Sequence, residues 1–179
     1  MKIFLLTHER EMRRATNTGA IAIENAHNIV ERILWERLSP NKELIQLIET
    51  NQAALLYSTR ELSATEPTAK QHAESPELSP TVSKVVSNVI AKVKIEEYEN
   101  IIIIDSTWQE AQKIFNQSAY LKAASQFTLN ATNSSSYKLR ANQPKGGLCT
   151  IECIIEVLRL KGQDKIAAEL LLKFEQFNG

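Results

Sequence analysis

A chain of 179 residues is long enough for one domain with a hydrophobic core and too short for two large ones. Its 21 Lys and Arg balance 21 Asp and Glu, which excludes a wholly basic nucleic-acid coat but not a local basic face. Apolar residues make up 43 % with no run near the ~20 that a membrane span needs, two cysteines cannot build a disulfide scaffold, and the N-terminus lacks the apolar stretch of a signal peptide. The expectation is a cytoplasmic globular protein with reduced thiols and no membrane anchor.

Residues 2–7 read as a buried strand, because Ile3, Phe4, Leu5 and Leu6 are continuously apolar. Asn17, Thr18 and Gly19 signal a turn. The apolar spacing of Ile21, Ile23, Ala26, Ile29, Val30, Ile33 and Leu34 predicts one helix over 20–38, ending at Ser39-Pro40. A short helix over 44–49 and a strand over 53–57 follow. Residues 63–80 hold three Pro among Ser, Thr and Glu and predict a long mobile loop. Val82, Val85, Val86, Val89, Ile90 and Val93 have helical spacing over 81–94 in spite of their β-branching. Four consecutive isoleucines make 100–105 the clearest strand. A helix over 108–116, a strand over 127–129, a polar loop over 133–147 and helices over 150–160 and 164–174, parted by Gly162, complete the chain. This alternation predicts a single α/β domain with a mainly parallel sheet flanked by helices.

Charge is segregated along the chain. No Asp or Glu occurs from Ala111 to Ile151, a window that holds Lys113, Lys122, Lys138, Arg140 and Lys145, whereas six Glu face only Arg60 and Lys70 between Glu43 and Glu77. Either a polarised surface that attracts a polyanion or an unevenly sampled solvated surface would produce this.

Asp105 directly follows the isoleucine strand, and ligands of open α/β sheets gather beyond the carboxyl ends of strands. Its alternative role is to cap the next helix, but Thr107 and Glu110 already have capping-box spacing there. Asp105 is therefore the candidate to orient a substrate or accept a proton. Trp108 can pack on the sheet or stack on a base. Lys138 and Arg140 with Gly146 and Gly147 can hold a phosphate or carboxylate before a helix that Thr150 can cap. Cys149 and Cys153, one helical turn apart, lack two further zinc ligands and suit small buried side chains.

Asp105-Ser106-Thr107-Trp108 also carries a resemblance. DSTWQEAQK over 105–113 is similar to the D-x-T-W-x-x-A-x-K motif of the DTW-domain family, which includes tRNA-uridine aminocarboxypropyltransferases. YKLRANQPKGGLCTIEC over 137–153 resembles that family's Y-x-L-R, Gly, T-x-E block, and HEREMRRATNTG over 8–19 its H-x-x-E-x-x-R-x-x-N-T-G block. The resemblance implies a SPOUT-like fold with a C-terminal knot formed by the loop 133–147 and the helix 150–160. It implies transfer of the 3-amino-3-carboxypropyl group of S-adenosylmethionine to N3 of a uridine in tRNA, with release of methylthioadenosine. It assigns catalysis to Asp105, Thr107 and Trp108, and the co-substrate to Asn17, Thr18, Gly19, Arg140, Gly146, Gly147, Leu148, Thr150 and Glu152. Arg10, Arg13, Arg14, Lys113 and Lys138 would meet tRNA phosphates. The Cys-rich zinc-binding segment with which many relatives begin has no counterpart, so no metal is expected, and no obligate protein partner is. Ser136 and Gln112 stand where relatives often carry a cation, which removes positive charge from the nucleic-acid side. A SPOUT-like RNA methyltransferase and a non-catalytic RNA-binding protein are the alternatives.

Overall fold

The computed structural model describes residues 1–57, 93–129, 135–139 and 147–179. The expected loop over 63–80, residues 81–92 of the helix expected over 81–94, Arg140 and Gly146 lie outside these residues. So do parts of the 133–147 segment through which the expected knot would be threaded. Val93 and Lys94, the end of the helix expected over 81–94, are not helical but lead into a 3₁₀ turn.

Five strands form one sheet: β1 Lys2–Thr7, β2 Val30–Leu34, β3 Ala53–Leu56, β4 Asn100–Asp105 and β5 Ser125–Phe127. Their order is β2-β1-β4-β3-β5 and every neighbouring pair is parallel, as the alternation of elements predicts. The helices are α1 Glu9–Met12, α2 Gly19–Asn25, α3 Lys42–Glu49, α4 Trp108–Gln117, α5 Ala119–Ala123, α6 Thr150–Leu160 and α7 Asp164–Asn178, with a 3₁₀ turn at Ile95–Glu97 before β4.

Strand period two divides the core between the two faces of the sheet. Ile3, Leu5, Ile101, Ile103 and Ala54 pack with α2, α6 and α7 through Ile21, Ala22, Ile151, Ile154, Ile155, Leu158, Leu170 and Phe174. Phe4, Leu6, Ile102, Ala53 and Leu55 pack with α3, α4 and α5 through Leu44, Ile48, Ile114, Phe115 and Leu121. The continuous apolar runs of β1 and β4 reflect this burial on both sides. Of the free cysteines, Cys149 is buried in the first of these cores and Cys153 packs against it. Burial pushes the Cys149 thiol up to about 12 and raises Cys153 as well.

The single helix expected over 20–38 is two elements. α2 ends at Asn25, whose side-chain amide donates to the Ile21 carbonyl, and Ile29 and Val30 both bond back to the Ala26 carbonyl before β2 begins. The apolar spacing misleads because it serves both faces of the sheet: Ile21, Ala22, Ala26 and Val30 join one core, and Ile33 joins the other. A helical stripe would serve one only. The β-branched Val30 and Ile33 fit an edge strand. The last strand lies at Ser125–Phe127 rather than 127–129, α5 is an addition, and α7 runs four residues beyond the expected 174. Gly162 does break α6 from α7, at φ 70°, a left-handed conformation that favours glycine.

At the amino edge of the sheet, the Lys161 ammonium donates to the carbonyls of Ile95, Glu96 and Tyr98 at 3.2, 3.1 and 2.8 Å, bolting the end of α6 to the turn that leads into β4. Lys161→Met keeps the stem and removes these bonds. Urea denaturation should show a loss of about 1–2 kcal/mol with the m-value unchanged.

Candidate active site at the carboxyl edge of β1 and β4

The chain turns opposite ways after β1 and after β4. From β1 it passes through α2 on one face to β2; from β4 it passes through α4 and α5 on the other face and beyond β3 to β5. This is the topological switch point where open α/β sheets bind ligands. Its floor is the pair Thr7 and Asp105, the last residues of the two strands and register partners.

Asp105 is 1 % exposed. Its Oδ1 accepts from the Thr150 hydroxyl at 2.9 Å and the Asn17 amide at 3.0 Å; its Oδ2 accepts from Asn17 at 3.0 Å and the Thr7 hydroxyl at 3.2 Å. Arg32 in β2 brings its Nη2 to 3.6 Å from Oδ2 and donates to Asn17 Oδ1 at 2.9 Å. Gly19 packs so tightly on this carboxylate that a Cβ would lie 2.7 Å from Oδ2. The spacing of the N-terminal block follows from the same geometry. His8 caps α1 by accepting from the Arg10 N–H at 3.2 Å, Glu11 is fully buried, Arg14 donates to Glu11, and Asn17 donates weakly to Glu11 at 3.5 Å besides Asp105. Of these residues at intervals of three, Glu11 and Asn17 are buried and lead to Asp105, while His8 and Arg14 lie nearer solvent.

The third block arrives through α6. Cys149 is the N-cap, one residue earlier than expected, because Thr150 turns its hydroxyl to Asp105. The Ile151 N–H donates to the Thr18 hydroxyl at 3.3 Å. Glu152 completes a capping box by accepting from the Cys149 N–H at 2.8 Å and also accepts from Ser135 Oγ, the Ser136 N–H and Ser136 Oγ. Burial alone would raise the Glu152 carboxyl, but these hydrogen bonds together outweigh it and hold the group below the usual carboxylate range. Tyr137 donates its hydroxyl to the Thr16 carbonyl at 2.6 Å, and Asn178 of α7 accepts from the Lys138 N–H and donates to the Ser136 carbonyl. Glu152 and Tyr137 therefore clip this segment against the N-terminal block.

On α4, Thr107 caps the helix as expected, accepting from the Glu110 N–H at 3.3 Å. The Glu110 carboxylate takes hydroxyl donors from Ser106 and Thr107 instead of the Thr107 N–H, and these bonds, with His8 and Arg14 nearby, hold it below its ordinary value against the opposing effect of burial. Trp108 belongs to neither core and is 36 % exposed.

Asn17, Gly19, Asp105 and Thr150 meet at one carboxylate, and Thr18 and Glu152 fix the start of α6. Asn17, Thr18 and Gly147 are buried, while Thr107, Leu148 and Thr150 are partly exposed. The basic candidates do not form one group. Arg14 is committed to buried Glu11, Arg10 and Arg13 are exposed at α1, Lys113 is exposed on α4, and Lys138 follows Tyr137 beside the end of α7. Arg32 escaped notice in the sequence. Its Nε is buried without a hydrogen-bond partner. The pair Glu31-Arg32, which interrupts the apolar run from Ile29 to Trp35, was the available signal, and the helix expected over 20–38 hid it. Among the described residues no cluster of three His, Cys, Asp or Glu side chains can hold a metal, and no helix is long and apolar enough to cross a membrane.

The model of the DTW domain matches residues 1–179. The chain belongs to the DTW-domain family. It is similar to tRNA-uridine aminocarboxypropyltransferase 2 of Macaca fascicularis, with 33 % identity over 73 residues, 41 % of this chain. That match spans 24 % of the macaque protein, about a quarter of its length. No solved structure matches this DTW chain significantly.

Two outcomes follow from these contacts. Asp105→Asn leaves Arg32 beside a neutral amide and exchanges an acceptor for a donor against three donors. Denaturation should show a loss of about 3–5 kcal/mol, as for a buried ion pair robbed of one partner. Glu152 contributes stability in full above its unfolded value near 4.5 and loses it as pH falls through the lower folded value. The stability gap between wild type and Glu152→Gln, measured by urea titration from pH 7 to 3, should be constant above about pH 5 and shrink below.

Proposed function

We propose that this DTW domain transfers the 3-amino-3-carboxypropyl group of S-adenosylmethionine to N3 of a uridine in tRNA and releases methylthioadenosine, with residues 1–179 acting as one domain. The observation that carries the reading is the convergence of all three family blocks on Asp105 at the switch point of the sheet. Family membership and the activity for which the macaque relative is named support the choice of reaction.

The described residues fit such a co-substrate. Arg32 keeps a buried donor without an acceptor, and a guanidinium matches a carboxylate in shape and charge. Arg32 would hold the carboxylate of the amino-acid arm, beside or in place of Arg140. Gly147, Leu148 and Thr150 at the start of α6 would receive the rest of the molecule. As a sulfonium, S-adenosylmethionine supplies an electrophilic carbon when bound.

The protein's own chemistry is placement and proton handling. N3 of uridine carries a proton that must leave as the nitrogen becomes nucleophilic. Asp105 is too enclosed to reach a base directly, but Thr150 is partly exposed and already donates to it. In this reading the Thr150 oxygen accepts the N3 proton while its own hydroxyl proton passes to Asp105 Oδ1, so Asp105 acts through Thr150. Trp108 would screen the reacting atoms from water, Thr107 sets the first turn of α4 that carries it, and Arg10, Arg13, Lys113 and Lys138 would meet tRNA phosphates.

Incubation with S-adenosylmethionine and tRNA should release methylthioadenosine. Release of S-adenosylhomocysteine would instead support methyl transfer, and RNA binding without either product a non-catalytic role. Thr150→Val should lower kcat about 100-fold while Thr150→Ser stays near wild type. Arg32→Lys should weaken S-adenosylmethionine binding about tenfold by calorimetry, because an ammonium cannot reproduce the guanidinium fork.

A further inference from the structure

At the rim of the site, one residue beyond Thr7, the imidazole of His8 stacks on the indole of Trp35 with ring centroids 5.7 Å apart and planes inclined by 27°. Trp35 follows β2 directly. Its backbone N–H donates to the Thr7 carbonyl at 2.8 Å and its indole N–H to Ser118 Oγ at 2.9 Å, while the ring packs against the α3–α5 core. The lower ring of the stack is thus held by β1, by the cap between α4 and α5 and by the core.

The upper ring is held as well. Nδ1 of His8 accepts from the Arg10 N–H, and the Glu110 carboxylate lies within electrostatic reach. His8 remains partly exposed above Trp35. As a helix cap alone, imidazole is a poor choice, since Ser, Thr, Asp and Asn do that better. As an immobilised aromatic face it has a use: an ordered ring presents a π-surface without losing further side-chain entropy on binding. Thr7, the residue before it, bonds Asp105, and exposed Arg10 and Arg13 follow on α1.

We infer that the His8–Trp35 pair is a stacking platform for a nucleobase of the bound RNA, with His8 as the ring the base touches. The inference rests on the nucleic-acid reading above and adds to it a base-contacting site set apart from the phosphate contacts. Base stacking on such a ring tolerates any base, so the platform supplies affinity and placement rather than sequence choice.

Two substitutions separate stacking from capping. His8→Asn keeps the cap and removes the ring; His8→Phe keeps a ring and removes the cap. The probes are fluorescently labelled heptauridylate and a heptamer of abasic ribose phosphates, which share phosphates and differ in bases. By anisotropy the full-length protein should prefer heptauridylate about tenfold, the fold-change expected of one base–aromatic stack. His8→Asn should lose that preference while its melting temperature stays at or above wild type. His8→Phe should retain the preference despite a lower melting temperature. Quenching of tryptophan emission by heptauridylate, read from the two tryptophans of the chain, should fall in His8→Asn and persist in His8→Phe. A His8→Asn protein that keeps both preference and quenching would overturn the platform while leaving RNA binding intact. Failure of the wild type to bind either heptamer or tRNA would overturn the nucleic-acid reading itself.

Discussion

Removing a carboxylate from water at the end of a central strand is unfavourable by several kcal/mol unless donors and a counter-charge meet it. Asp105 is such a group, and the carboxyl edge of the sheet in this DTW domain is organised by what it requires. Thr7 from β1, Asn17 from the turn before α2 and Thr150 from α6 supply the donors, Arg32 from β2 supplies the charge, and Gly19 gives up a side chain to let α2 approach. Four separate pieces of chain meet at one side chain. The arrangement is specific because it is intolerant: a missing donor leaves a buried lone pair, and a Cβ at position 19 collides.

A second carboxylate, Glu152, does the equivalent task for the segment that precedes α6. It gathers Ser135, Ser136 and Cys149, and Tyr137 reaches across to Thr16. The two acids differ in use. Glu152 fixes loop to helix, whereas Asp105 fixes strand ends to helix starts and, through Thr150, retains a route to the exterior. A third acid, Glu110, lies nearer the surface and shares its environment with His8 and Arg14. The rim therefore carries polar and aromatic groups on a frame made rigid from beneath.

Much of this was legible in the residues. Runs such as Ile101–Ile104 leave no choice but a strand buried on both faces, and the alternation of such runs with helical spacing implies a parallel sheet. Asp105 stood out because it follows that strand and because Thr107 made it unnecessary as a cap. The N-terminal block was visible as a motif, but its spacing of three has a cause only in space, where buried Asn17 bonds both Glu11 and Asp105 and Arg14 pairs Glu11 from the exposed side.

Local order thus determined the strands, the helix starts and the identity of the central acid, since these depend on side-chain period and on groups a few residues apart. Tertiary structure alone decided which apolar residues of 20–38 belong to which face, and so that β2 is a strand carrying Arg32 to Asp105. It also decided that Thr150 serves Asp105 and leaves capping to Cys149, and that His8 lies on Trp35. Each of these joins residues that are distant along the chain, and hydrogen bonds, ion pairs and ring contacts act over a few ångströms of space whatever the separation in sequence.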